Sequence, residues 1–166
     1  PFGPLIDPDA PKFVAGTLQS DDIVTEIREY CEATGQRVPE DVGEVTRCIL
    51  ESLAAKIAYV FEELQIAAEI ESQQLHVVGG GARNEPFLQM ISGATGLPIV
   101  AGPVEAAAVG NLLVQMSATG EIEDIAEGRS LIRRSVKLDE YEPQNRDAWV
   151  NAKERVASMV ESDGFS

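Results

Sequence analysis

Positive charge is what this sequence has least to spare. Thirteen Lys and Arg stand against 28 Asp and Glu in 166 residues, a formal net charge of −15. Nucleic-acid affinity comes from clustered Lys and Arg neutralising phosphates, so the balance argues against a nucleic-acid partner. It equally disfavours an anionic membrane surface. Long apolar runs are also missing: none approaches the roughly 20 residues that span a bilayer. No secretory leader pattern is visible either, so a cytoplasmic protein is expected. Metal ligands are scarce. His76 is the single histidine, and the two cysteines, Cys31 and Cys48, form neither a CxxC pair nor a metal spacing. They could meet across a helical hairpin, but free thiols are the expectation for an intracellular chain. His76 lies in an apolar stretch and reads as structural rather than catalytic.

What is present is enough for one globular domain. The chain is 44% hydrophobic and 25% charged, and long enough to bury a sizeable core. Residues 1–40 read as a loop-rich opening with a short helix, 41–143 as the core, and 144–166 as a C-terminal helix and tail. The opening PFGPLIDPDAPKFVAG, rich in proline, predicts extended loop. Ser20-Asp21-Asp22 predicts a helix start, with Ile23, Ile27 and Tyr30 on one face and Gly35 as the stop. Pro39-Glu40-Asp41 opens the longest helix. Val42, Val45, Ile49, Leu53, Ile57, Val60 and Leu64 follow at steps of three or four and predict its core-facing stripe.

The second half changes character. His76-Val77-Val78 reads as a buried strand, Asn84 to about Thr95 as a helix, and Pro98-Ile99-Val100-Ala101 as a second strand. Gly102-Pro103 breaks direction, with Pro103 expected at the first helical position of a helix running from Val104 to about Ala118. Ala106, Ala107, Ala108 and Gly110 on that helix would admit another backbone at close range. Crossovers of this length suit parallel strands. A helix over Asp124–Arg134, a polar link through Lys137-Leu138-Asp139 and a last helix around Gln144–Val160 complete an α/β fold dominated by helices.

Between the first strand and its helix lies LHVVGGGARNEPFLQM, residues 75–90, with Gly79-Gly80-Gly81 at its centre. Two phosphate-binding signatures fail here. A Walker loop needs Gly-Lys-Ser/Thr, and Ala82-Arg83-Asn84 stands in that place. A dinucleotide fingerprint needs a third glycine where Asn84 is, and an acid after the second strand. What survives is general: glycines let backbone N–H groups approach an anion, and the following helix points its positive end at it.

The segment VVGGGARNEPFLQMISGATGLPIVAGPVEAAAVGN resembles the C-terminal nucleotide-binding region of the FGGY carbohydrate kinases. The resemblance extends to Arg47-Cys48-Ile49-Leu50-Glu51-Ser52-Leu53, to Leu5-Ile6-Asp7-Pro8-Asp9 and to Glu32-Ala33-Thr34-Gly35-Gln36. It covers almost the whole chain, thinning past about Gln144. Within the family it is most similar to members that act on L-rhamnulose.

That resemblance implies a helix-rich part of an actin-like, ribonuclease-H-like ATPase domain with an incomplete sheet. It also implies transfer of the ATP γ-phosphate to a ketose, L-rhamnulose giving L-rhamnulose 1-phosphate, with Mg²⁺ on the nucleotide. Carried onto this sequence, Gly79, Gly80 and Gly81 approach the ATP phosphates and ribose, and Ala82 and Asn84 sit beside the nucleoside. Pro103–Asn111 packs behind the loop. Arg83 and Glu105 read as solvated helix-end charges.

The family's catalytic Asp, its other phosphate loop and most sugar contacts precede the matched region. Asp7 and Asp9, in a Pro-rich loop, show no sign of substituting. The chain alone is therefore expected to be inactive, and an exposed strand edge implies a companion polypeptide or self-association. The competing expectation is a non-catalytic module or proteolytic fragment whose glycine loop is only a turn.

Overall fold

The computed structural model describes residues 2–13 and 22–163. Six helices and three short strands follow one another: α1 (Ile23–Ala33), α2 (Val42–Ala68), β1 (Leu75–Val77), α3 (Glu85–Thr95), β2 (Ile99–Ala101), α4 (Ala106–Thr119), α5 (Ile125–Ser135), β3 (Asp139–Tyr141) and α6 (Arg146–Asp163). Single 3₁₀ turns occur at Pro11–Phe13 and Gly80–Arg83.

Local chemistry accounts for the helix ends. Asp22, Asp41 and Asp124 cap α1, α2 and α5, each carboxylate accepting a first-turn N–H. The cap of α1 is thus Asp22; Ser20 and Asp21 lie outside the described residues. Gly96 and Gly120, with φ of 70° and 76°, end α3 and α4 in the left-handed conformation that glycine adopts without strain.

The sheet has the order β1-β2-β3. β1 and β2 are parallel, Leu75 beside Ile99 and Val77 beside Ala101, and β2 and β3 are antiparallel. The parallel pair agrees with the crossover expected between the first two strands. β3 occupies part of what reads in sequence as a polar link. Its Asp139-Glu140-Tyr141 is short and acidic, as a sheet edge tolerates, and carries no apolar alternation.

β1 also departs from expectation. It is half-buried rather than buried: His76 is exposed, Val78 is 52% exposed, and β1 is itself an edge.

Helices α2, α3 and α6 enclose the main core. Leu5, Ala54, Ala55, Leu88, Ile91, Ile99, Trp149 and Val156 all belong to it. A smaller cluster joins Ile6, Ile27, Cys31, Val45 and Cys48 beneath α1.

The face that α2 buries differs from the expected stripe. Val45, Cys48, Ser52, Ala54, Ala55 and Ala58 are buried, whereas Val42 is 78%, Val60 41% and Leu64 59% exposed. Small residues let α3 and α6 come close, and close approach decides which face is covered. The larger apolar side chains are left at the rim and over the helix's outer half.

The opening segment is structural despite its prolines. Leu5 and Ile6 are buried. Leu5 N–H donates to Gln36 Oε1 at 2.9 Å, and Gln36 Nε2 donates back to Leu5 O at 2.8 Å. Arg155 on α6 donates to the same Gln36 Oε1 at 2.9 Å. Among the described residues no helix is long and apolar enough to cross a membrane.

Candidate functional site

The glycine turn begins one residue past β1. Gly79 has φ 80° and ψ −164°, a backbone region open almost only to glycine. Its N–H donates to Pro103 O at 3.1 Å, and Gly102 N–H donates to Val77 O at 2.8 Å. These two bonds extend the β1–β2 pairing past its last rung and hold the turn against the loop leading to α4. Pro103 therefore lies in that loop, not at the first helical position, because its carbonyl is engaged by Gly79. α4 starts at Ala106 instead.

Within the turn, Ala82 N–H reaches Gly79 O at 3.0 Å and Asn84 N–H reaches Gly81 O at 3.1 Å. Asn84 Oδ1 then accepts from Phe87 N–H at 3.2 Å and caps α3.

This arrangement divides the five expected site residues by role. Gly79 supplies conformation, Ala82 packs inward against the main core, and Asn84 starts the helix. Gly80 and Gly81 remain, and their N–H groups have no partner among the described residues. A Cβ built on either one meets nothing within 4 Å. Two unpartnered amide donors thus stand at exposed positions at the N-terminal end of an eleven-residue helix. Such donors at a helix start are groups an anion can use.

Charges near the turn are sparse. Arg83 meets Glu105 at 3.9 Å, both more than 70% exposed, a contact of about 0–1 kcal/mol at most. Ala82, Val104, Glu105, Lys137 and Asp139 line a cleft of about 310 Å³ beside the turn. Lys137 and Asp139 are the residues that sequence reasoning missed here, because they come from β3 and the link leading into it. They form an ion pair at 2.6 Å, and that hydrogen bond, with the Asp139 charge, holds the Lys137 ammonium above its ordinary value.

The other titratable groups have structural partners. Asp7 Oδ1 accepts from Lys56 Nζ at 2.7 Å and from Asp9 N–H at 3.1 Å, fixing the opening loop to α2. Burial alone would push Lys56 down, but Asp7 and Asp9 together leave it raised. Glu51 is buried on α2, with one oxygen on Arg47 at 2.7 Å and the other without a partner among the described residues.

Cys31 and Cys48 are free and buried together between α1 and α2. Burial raises both thiols, Cys48 to about 12, so neither is a nucleophile. His76 is exposed, with its Nε2 2.8 Å from the Gln74 amide, rather than buried in an apolar stretch. Among the described residues no group of three or more His, Cys, Asp or Glu could hold a metal ion.

Comparison with known proteins gives one consistent result. Residues 1–119 match the family model described as the FGGY family of carbohydrate kinases, C-terminal domain. A rhamnulokinase of Bacteroides thetaiotaomicron is 45% identical over 149 residues, covering 90% of this chain and 30% of the relative. Rhamnulokinases of Bacillus subtilis and Halalkalibacterium halodurans are 37% and 38% identical, covering 89% and 88% of this chain and 30% of each relative. The chain thus spans about 30% of the length of the curated relatives it matches.

Proposed function

The chain belongs to the FGGY family of carbohydrate kinases, and from that premise we propose that it supplies the nucleotide-binding part of a kinase acting on a ketose, L-rhamnulose in the first instance. The helix-rich α/β fold with its small mixed sheet is consistent with the family's actin-like ATPase C-terminal domain. The observation that carries the nucleotide reading is the pair of unpartnered amides, Gly80 and Gly81, at the start of α3. The substrate reading follows the rhamnulokinase relatives.

In this reading Gly79 sets the turn, the Gly80 and Gly81 N–H groups donate to nucleotide phosphate oxygens, and the α3 N-terminus adds its favourable dipole. Ala82 and Asn84 stand beside the nucleoside and keep the turn in place. ATP supplies the transferred phosphoryl group and carries Mg²⁺ on its phosphates. The base that takes the sugar hydroxyl proton belongs to residues outside these 166, since Asp7 and Asp9 are committed to Lys56. The chain alone is then inactive, and the free edge of β1 takes a strand from a companion polypeptide or a second copy. A cytoplasmic location accompanies this role.

The test is a calorimetric titration with ADP and ATP, each with and without Mg²⁺. Gly80→Val is expected to fold, because nothing lies within 4 Å of the added Cβ, and its side chain holds an anion away from the amides. Saturable binding that Gly80→Val weakens at least about tenfold is expected, the size of one hydrogen bond to a charged group that the valine blocks. Binding that Gly80→Val leaves unchanged would reduce the turn to a structural element.

A further inference from the structure

Cations in this acidic chain are mostly committed to oxygen atoms. Arg37, Arg47, Lys56 and Lys153 each meet a carboxylate within 2.8 Å. Arg28 donates to the carbonyls of Pro39 and Glu40, and Arg155 to Gln36. Helix α5 breaks the pattern. Arg129, Arg133 and Arg134 have no ion-pair or hydrogen-bond partner among the described residues.

Two of these arginines share one face. Arg129 and Arg133 are four residues apart, so they project on the same side of α5. With His76 they line a groove of about 400 Å³ that also touches Val78, Pro103, Ile132 and Leu138. Among the described residues no Asp or Glu lines it, although the chain holds 28 of them. The groove lies at the C-terminal ends of the parallel strands β1 and β2, where open α/β sheets place their ligands. Arg134 does not line it, although it is on the same helix.

We propose that this groove is a binding site for a small phosphate ester. The anionic group lies between Arg129 and Arg133, which offer planar, fork-shaped donors suited to phosphate. His76, on β1, is the third polar side chain of the lining. The apolar side chains of Val78, Pro103, Ile132 and Leu138 carry the body of the ester, which favours an ester over the free ion. The site is distinct from the Gly80–Gly81 amides and stands whether or not those take a nucleotide.

Inorganic phosphate and phenyl phosphate, titrated calorimetrically into the chain with His76 ring resonances followed by NMR, test the proposal. Both are expected to saturate, phenyl phosphate more tightly, and both shift the His76 signals. The double variant R129Q/R133Q should lose at least about tenfold in affinity and the His76 shift. R134Q removes one charge from the same helix outside the groove and should change little.

Absence of saturation at about 10 mM would overturn the proposal. So would an equal loss in R134Q, which would mean diffuse charge. Competition by AMP and by a hexose 1-phosphate identifies the body that the apolar walls accept. Displacement of phenyl phosphate by either supports the ester assignment, and displacement by neither overturns it.

Discussion

The assembly of α2, α3 and α6 and the pair α4–α5 are built on opposite terms. In the first, interlocked helices bury Leu88, Ile91, Trp149, Ala152 and Val156, and even glycine is sterically required. A Cβ on Gly93 would lie 2.7 Å from Gln144 O and collide with Trp149 Nε1. In the second, Leu113 is the buried residue of α4 and Gly128 that of α5. Leu112 and Val114 are 55% and 62% exposed. Packing specifies one region to the atom. The other holds its shape through caps and a few contacts, and both candidate ligand surfaces border it. A binding surface has to leave groups unpartnered, and unpartnered groups are what a tightly packed region cannot hold.

This contrast can be broken most sharply at Lys56. Its side chain is 11% exposed, and its ammonium neutralises the buried Asp7. Lys56→Met strands that carboxylate, and a loss of about 3–5 kcal/mol is expected in urea unfolding. Gly93→Ala follows, at about 1–3 kcal/mol from overpacking against Trp149 and a backbone carbonyl.

An alkaline effect comes next. Cys48 is held at about 12 against an ordinary 9.0, so the folded state keeps its proton while the unfolded chain releases it. The stability is complete below about pH 9 and falls as pH rises from 9 toward 12. Urea midpoints at pH 7.5 and 10 should show the drop, and Cys48→Ala should flatten it. The smallest effect belongs to α4: Leu112→Ser should stay within about 0.5 kcal/mol. A loss of several kcal/mol there would show that α4 is as tightly specified as the packed helices.

Much of this division is written in the sequence. The helix starts near Asp22, Asp41 and Asn84 are local chemistry, and they place the beginnings of α1, α2 and α3. Parallel pairing of β1 and β2 follows from the crossover length between them. What failed to read out depends on partners distant in sequence. The buried face of α2 turned toward Ala54, Ala55 and Ala58 because α3 and α6 approach there, and periodicity alone preferred the larger Val and Leu. β3 escaped notice because an acidic edge strand has no pattern of its own. His76 lies exposed because, among the described residues, β1 has a neighbour on one side only.

In the candidate site, the glycine turn is legible from composition. The unpartnered amides and the arginine groove are not, because partnership is a property of three dimensions. Val77 O taking Gly102 N–H, and Pro103 O taking Gly79 N–H, could not be inferred from spacing.

Gln36 sets a schedule for the chain's birth as well as its shape. Its amide joins residue 5 to residue 155, and Phe2 lies 4.4 Å, ring to ring, from Trp149. A ribosome releases these residues in order, so Phe2 and Gln36 wait for partners that α6 brings much later. Contacts of such long sequence separation slow folding, because the intervening chain must be ordered first. Until α6 emerges, Phe2 lacks Trp149 and Gln36 lacks Arg155. Closure of this side of the core therefore waits for the last helix.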